Sequence, residues 1–167
     1  ICHSRESGNP VLGKLQRESS FFIFIKMDPR FRGDDRLMKI LLTNDDGIEA
    51  AGLRALWQSI PESAETLIAA PRWPSSAMGH SISLKRSIRA SEVKWDKKKT
   101  AYAIEGTPVD CVILALAKLK FEPDLVFSGV NVGPNTGVSV FYSGTVSAAR
   151  EGLFTGVPAL AISMASH

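Results

Sequence analysis

From residue 38 to residue 163, short apolar runs of strand length alternate with segments of helical spacing, and that alternation admits few folds. Residues 38–43 form an apolar run that reads as a strand. Over 51–60, Leu53, Leu56, Trp57 and Ile60 recur at helical spacing until Pro61 stops the helix. A second strand over 65–70 is closed by Pro71, and 71–80 is a loop rich in Pro and Ser. Residues 81–93 and 100–104 read as short strands around a lysine-rich turn. A helix over 108–118 has Pro108 in its first turn. Residues 124–127 make a strand and 128–142 a long glycine-bearing loop. Ser143 then caps a helix running to about residue 154, and 158–163 is a last strand. Strands interleaved with helices predict an α/β fold with a mostly parallel sheet and right-handed crossovers.

Residues 1–37 differ from the rest. They are rich in Arg, Ser, Gly and Asn and sustain neither period. The domain is expected to start at Met38, with 1–37 a poorly ordered extension; packing of the aromatic run 21–25 as an added strand is the alternative. The length of 167 residues suits one domain with a real core. The extension holds 7 Lys/Arg against 5 Asp/Glu, leaving 13 against 12 from residue 38 onward. The domain is nearly neutral, which argues against a duplex nucleic acid as partner. Lys97, Lys98 and Lys99 read as a solvated hairpin turn. Cys2 and Cys111 give no disulfide framework, and Cys111 falls in an apolar helical stretch, which fits a reducing cytoplasm. The apolar run 21–25 is too short to span a membrane.

The strand over 38–43 ends in Asn44, Asp45, Asp46 and Gly47. Adjacent carboxylates repel, and a hard divalent cation such as Mg²⁺ or Mn²⁺ would remove the conflict. The competing reading is a surface turn before a helix, where Asp favours the helix dipole. Ligands of open parallel sheets bind beyond the carboxyl ends of the strands. Two further strand ends carry oxygen donors there: Ser75 and Ser76 in the loop after the second strand, and Asn131 after the strand over 124–127. With waters, these would complete an octahedral site. The absence of a Cys/His cluster disfavours zinc. Ser143, Gly144 and Thr145 open a helix whose free amides attract phosphate. His80 is read as an ordinary loop histidine, with proton donation to a leaving group as the alternative. Glu105 and Asp110 suit the start of the helix over 108–118. No Gly-x-Ser-x-Gly elbow and no Gly-x-Gly-x-x-Gly turn is present, which disfavours serine-triad and dinucleotide chemistry.

Four motifs in order, the 41–47 stretch ending Asn-Asp-Asp-Gly, Gly106-Thr107-Pro108-Val109-Asp110-Cys111, the 128–135 stretch from Ser128 to Asn135, and Tyr142-Ser143-Gly144-Thr145-Val146, closely resemble the SurE survival-protein family of metal-dependent nucleotidases. The resemblance covers 38–164 and implies a Rossmann-like three-layer α/β/α fold. It implies hydrolysis of nucleoside 5'- and 3'-monophosphates with one divalent cation, Mg²⁺ or Mn²⁺. The implied metal ligands are Asp45, Asp46, Ser76 and Asn131, with Ser75 as the alternative serine. Asn44, Ser143, Gly144 and Thr145 would lie around the phosphate. This chain departs from the family where Ala70-Pro71-Arg72-Trp73 replaces the usual Ala-Pro-Asp-Arg, and where Ala77 replaces the glycine after the serine.

The family's chain continues past the strand ending near Ser163, and its later part supports dimerisation. This sequence is therefore read as an N-terminal portion lacking the carboxyl-terminal part, with homo-oligomerisation expected of the family rather than of this length. Attack by water is preferred to an aspartyl-phosphate, because both Asp45 and Asp46 are committed to metal. Short polyphosphate stands open as a second substrate. The competing class is a catalytically inactive Rossmann-like module that at most binds metal or nucleotide.

Overall fold

The computed structural model describes residues 19–24, 37–96 and 99–165. Seven strands among them form one sheet: β1 (Ser19–Phe24), β2 (Lys39–Thr43), β3 (Glu65–Pro71), β4 (Ala90–Asp96), β5 (Lys99–Ile104), β6 (Leu125–Asn131) and β7 (Ala159–Met164). The helices are α1 (Ala51–Ser59), α2 (Pro108–Ala117), the short α3 (Ser139–Tyr142) and α4 (Gly144–Phe154). The sheet order is β1-β7-β6-β2-β3-β5-β4. Four neighbouring pairs are parallel, and only the edge pairs β1–β7 and β4–β5 are antiparallel.

Apolar side chains on both faces make the layers. Ile40 and Leu42 of β2 face one way and pack with Leu53 and Leu56 of α1, while Leu41 faces the other way toward Cys111, Val112 and Ala115 of α2 and Val146 and Ala149 of α4. Continuous burial of Ile40, Leu41 and Leu42 explains why β2 reads as an unbroken apolar run instead of an alternating one. Each such side chain contributes roughly 1.5–3 kcal/mol by leaving water. The result is the expected mostly parallel α/β/α sandwich. No helix among the described residues is long and apolar enough to cross a membrane.

The chain runs from β2 to β3 on one side and later places β6 on the other. The winding direction therefore reverses between β2 and β6, and the crevice at such a switch point is where open sheets bind ligands. Thr43 of β2 is level with Ser128 of β6, so the polar residues that follow both strands emerge side by side.

Three local expectations change. Residues 81–89 are loop, and the strand starts only at Ala90. Their backbone groups are satisfied elsewhere: the Ser83 amide donates to Asp110 Oδ1 at 3.0 Å, and the Thr107 hydroxyl donates to the Ser81 carbonyl at 2.7 Å. Residues 128–142 are not one loop, because β6 continues to Asn131 and α3 adds one helical turn. Ser19–Phe24, which takes in most of the aromatic run 21–25, adds an edge strand antiparallel to β7. The remainder of 1–36, Lys97 and Lys98 lie outside the described residues.

Candidate active site

Asn44, Asp45 and Asp46 leave β2 in a tight turn closed by Gly47. The Asn44 amide nitrogen donates to the Gly47 carbonyl at 3.0 Å. Gly47 has φ +98°, and a Cβ there would sit 3.3 Å from Pro74 N and from the Trp73 carbonyl carbon. Glycine thus permits both the turn and the close approach of the loop after β3. That loop is tied to the pair where the Ser75 amide donates to the Asp45 carbonyl at 2.7 Å.

The Asp45 carboxylate is buried against the start of α4. The Thr145 hydroxyl donates to its Oδ1, and the nearby backbone of Gly144 and Thr145 acts to lower its pKa. Burial nevertheless dominates and raises the Asp45 pKa above its ordinary value. Asp46 is raised by burial and then by the neighbouring Asp45 charge, with the Val132 amide acting in the opposite sense. Asn131 closes β6, and its side-chain nitrogen donates to the Gly133 carbonyl at 2.8 Å.

Ser143 caps α4 by accepting the Val146 amide at 3.1 Å, as a serine at that position predicts. A Cβ on Gly144 would stand 2.7 Å from Asp45 Cβ and 3.0 Å from Pro108 Cγ, so only glycine lets α4 close on the carboxylate. Ser75 donates its hydroxyl to the Trp73 carbonyl at 3.1 Å, inside its own loop, while Ser76 is exposed.

Several buried oxygens lack a hydrogen-bond partner: Asn44 Oδ1, Asp46 Oδ2, Thr43 Oγ1 and Ser128 Oγ. Buried acceptors without donors are costly unless something else satisfies them. Asn44 Oδ1 and Asp46 Oδ2, beside a second carboxylate, fit a hard cation that takes oxygen ligands. Among the described residues no three His, Cys, Asp or Glu side chains form a metal-holding group, so neutral oxygens would have to complete such a site. The Thr43 and Ser128 hydroxyls are not singled out by the sequence reading; their signal is a polar residue ending or interrupting an apolar run.

His80 lies against α4, with Nε2 2.8 Å from Glu151 Oε2. Asp110 closes a capping box with Thr107, accepting its amide at 2.8 Å while the Thr107 hydroxyl accepts the Asp110 amide at 3.1 Å. Glu105 lies 3.6 Å from Arg72. Cys111 is fully buried, and burial pushes its thiol well up, which suits inert core.

The family model described as Survival protein SurE matches residues 40–167. A relative named 5'-nucleotidase SurE from Desulforudis audaxviator (strain MP104C) is 57% identical over 133 residues, covering 78% of this chain and 52% of the relative. One of the same name from Pelotomaculum thermopropionicum (strain DSM 13744 / JCM 10971 / SI) is 51% identical over 132 residues, covering 78% and 51%. The crystal structure of the SurE protein from Aquifex aeolicus superposes with a TM-score of 0.62 at 37% identity, over 72% of this chain and 48% of that one. The chain spans about half the length of the curated relatives it matches. Matching fold, ordered motifs and a family match over most of the sequence establish that this chain belongs to the SurE family.

Proposed function

We propose that this chain carries the phosphate-ester site of a divalent-metal-dependent nucleotidase that converts nucleoside 5'- and 3'-monophosphates to nucleoside and phosphate. The observation that carries the reading is the Asp45–Asp46 pair at the β2–β6 switch point, with the buried Asn44 Oδ1 and Asp46 Oδ2 lacking donors. The relatives' name, 5'-nucleotidase SurE, supports the reaction class.

Asp45, Asp46, Asn131 and Ser76 are the proposed holders of a Mg²⁺ or Mn²⁺ ion. Such an ion, when bound, supplies a Lewis acid for a phosphoryl oxygen and a water of lowered pKa. The protein's own part is positioning. The start of α4 fixes the Asp45 carboxylate through the Thr145 hydroxyl and the close approach of Gly144. A carboxylate so engaged and only 4% exposed is poorly placed to attack phosphorus, which favours water over an aspartyl-phosphate. The Gly47 carbonyl orients the Asn44 amide, whose oxygen is buried without a partner. Ser143, Gly144 and Thr145 act on the phosphate indirectly, by presenting the positive end of α4 through Asp45.

A binding-only module is the second reading, favoured by the burial of Gly144 and Thr145 against Asp45 and by the half-length match. Phosphate release separates the two. Adenosine 5'- and 3'-monophosphate and a short polyphosphate are assayed with and without Mg²⁺ or Mn²⁺, in this chain, in a chain of full family length, and in Asp45→Asn. Metal-dependent release that Asp45→Asn abolishes supports the nucleotidase. Full activity in that variant, or without metal, removes the metal assignment, and inactivity of the full-length chain leaves the binding module.

A further inference from the structure

His80 sits in the loop after β3, and α4 holds its ring on three sides. Nε2 lies 2.8 Å from Glu151 Oε2, Arg150 Nε donates to Nδ1 at 3.2 Å, and the ring centroid lies 5.3 Å from that of Phe154. A guanidinium only donates, so Nδ1 accepts and the ring hydrogen belongs on Nε2, facing Glu151. One neutral tautomer therefore satisfies both neighbours. Arg150 is itself steadied by donation to Ser147 Oγ at 3.2 Å. Beside the ring, the Gly79 amide donates to the Tyr142 carbonyl at 2.9 Å, just before α4 begins.

The other end of the same loop reaches the candidate site through the Ser75 amide on the Asp45 carbonyl at 2.7 Å. The two tethers share one strut. The first turn of α4 grips the Asp45 carboxylate, and its later turns grip His80. The contacts thus close a ring: Asp45, α4, His80, the loop, and Asp45 again. Ser76 lies between the tethers, so its position against the carboxylates depends on both.

We infer that His80 is a positioning residue that fixes the Ser76 loop to α4 and so sets where that loop's oxygen stands relative to Asp45 and Asp46. The inference deepens the metal reading of those carboxylates and rests on it. His80 acts through the loop and touches neither cation nor substrate.

Mn²⁺ alone is titrated into the whole chain by electron paramagnetic resonance, in wild type, His80→Ala, His80→Gln and Glu151→Leu. Leucine removes the acceptor that the Nε2 hydrogen meets. His80→Ala and Glu151→Leu each weaken Mn²⁺ about tenfold, the low end for supporting residues around a metal site. His80→Gln, whose amide keeps a donor toward Glu151, recovers part of the loss. Combining His80→Ala with Glu151→Leu costs little beyond either alone, because both break one tie. Wild-type affinity in His80→Ala and Glu151→Leu overturns the inference; if His80→Ala does not fold, Glu151→Leu decides it. If wild type itself fails to take up Mn²⁺, the metal reading falls, and hydrogen exchange in the metal-free chain then decides. A tenfold faster exchange of amides 75–77 in Glu151→Leu, with α2 and β5 unchanged, upholds the tether, and unchanged exchange refutes it.

Discussion

The Thr145 hydroxyl donates to Asp45 Oδ1, although 100 residues of chain separate the two. The bond joins the carboxyl end of β2 to the first turn of α4, and the nearby Gly144 and Thr145 backbone also acts to lower the Asp45 pKa. The positive end of a helix is thereby directed at one carboxylate of an adjacent pair. Burial still outweighs these effects, so both carboxyls hold their protons more tightly than free ones.

Thr145→Val keeps the shape of a fully buried side chain and deletes its hydroxyl. A hydrogen bond to a charged group contributes about 1.5–3 kcal/mol, so urea unfolding at pH 7 should show a loss of that order. The loss should shrink near pH 4, where a protonated Asp45 accepts a weaker, neutral bond. A variant equally destabilised at both pH values would mean that Thr145 acts by packing alone.

Gly144→Ala tests the close approach itself. The added methyl would stand 2.9 Å from Asp45 Oδ2 and 3.0 Å from Pro108 Cγ, with neighbours on both sides. Overpacking of this kind costs about 1–3 kcal/mol. Thermal unfolding should report it, and Mn²⁺ affinity should fall in parallel because Asp45 has to shift. Unaltered stability with unaltered Mn²⁺ affinity would show that α4 can back away freely.

The acid pair also sets a pH dependence. Each carboxyl has an ordinary value of 3.8 and a raised value in the folded chain. Between those values the folded state holds more protons than the unfolded one, so stability falls as pH rises through the window and stays reduced above it. This is the reverse of a salt-bridged Asp, whose stabilisation grows with pH. Asp46→Asn removes one titrating group and the repulsion with Asp45. The metal-free variant should therefore show a flatter Tm–pH profile above pH 4 and a Tm at pH 7 raised by about 2–4 °C, as expected for about 1 kcal/mol in a chain of this size. Excess Mn²⁺ should reverse the slope in wild type and leave Asp46→Asn nearly unaffected.

Much of this site was legible before the structure, for reasons local to the chain. The Asn44-Asp45-Asp46-Gly47 turn follows an apolar run that reads as a buried strand, and Ser143 and Pro108 announce helix starts by their own chemistry. What was hidden depends on distant partners. Ser143, Gly144 and Thr145 read as a phosphate loop because free helix amides attract anions, yet the anion they meet is Asp45. Nothing near residue 145 in the sequence says so. Residues 81–89 looked like a strand because Ile82, Leu84 and Ile88 alternate with polar neighbours, but Asp110 and Thr107 take their backbone bonds. His80 read as an ordinary loop residue because its partners Arg150 and Glu151 lie 70 and 71 residues away.

Ala77 occupies the position where the resemblance leads one to expect glycine, and its φ is +57°. A left-handed backbone costs a non-glycine residue roughly 1–2 kcal/mol. Ala77→Gly removes that strain but adds freedom to the unfolded chain, which returns part of the gain. The net expectation is a stabilisation of about 0.5–1 kcal/mol, read as a higher urea midpoint at unchanged m-value. Because Ala77 follows Ser76 directly, relaxing it also lets the loop settle without strain between its Asp45 and His80 tethers. Mn²⁺ affinity should therefore hold or rise in Ala77→Gly. A lower urea midpoint would show that the surrounding contacts already favour the left-handed alanine, and a loss of Mn²⁺ affinity would show that the strained backbone is what keeps Ser76 in place.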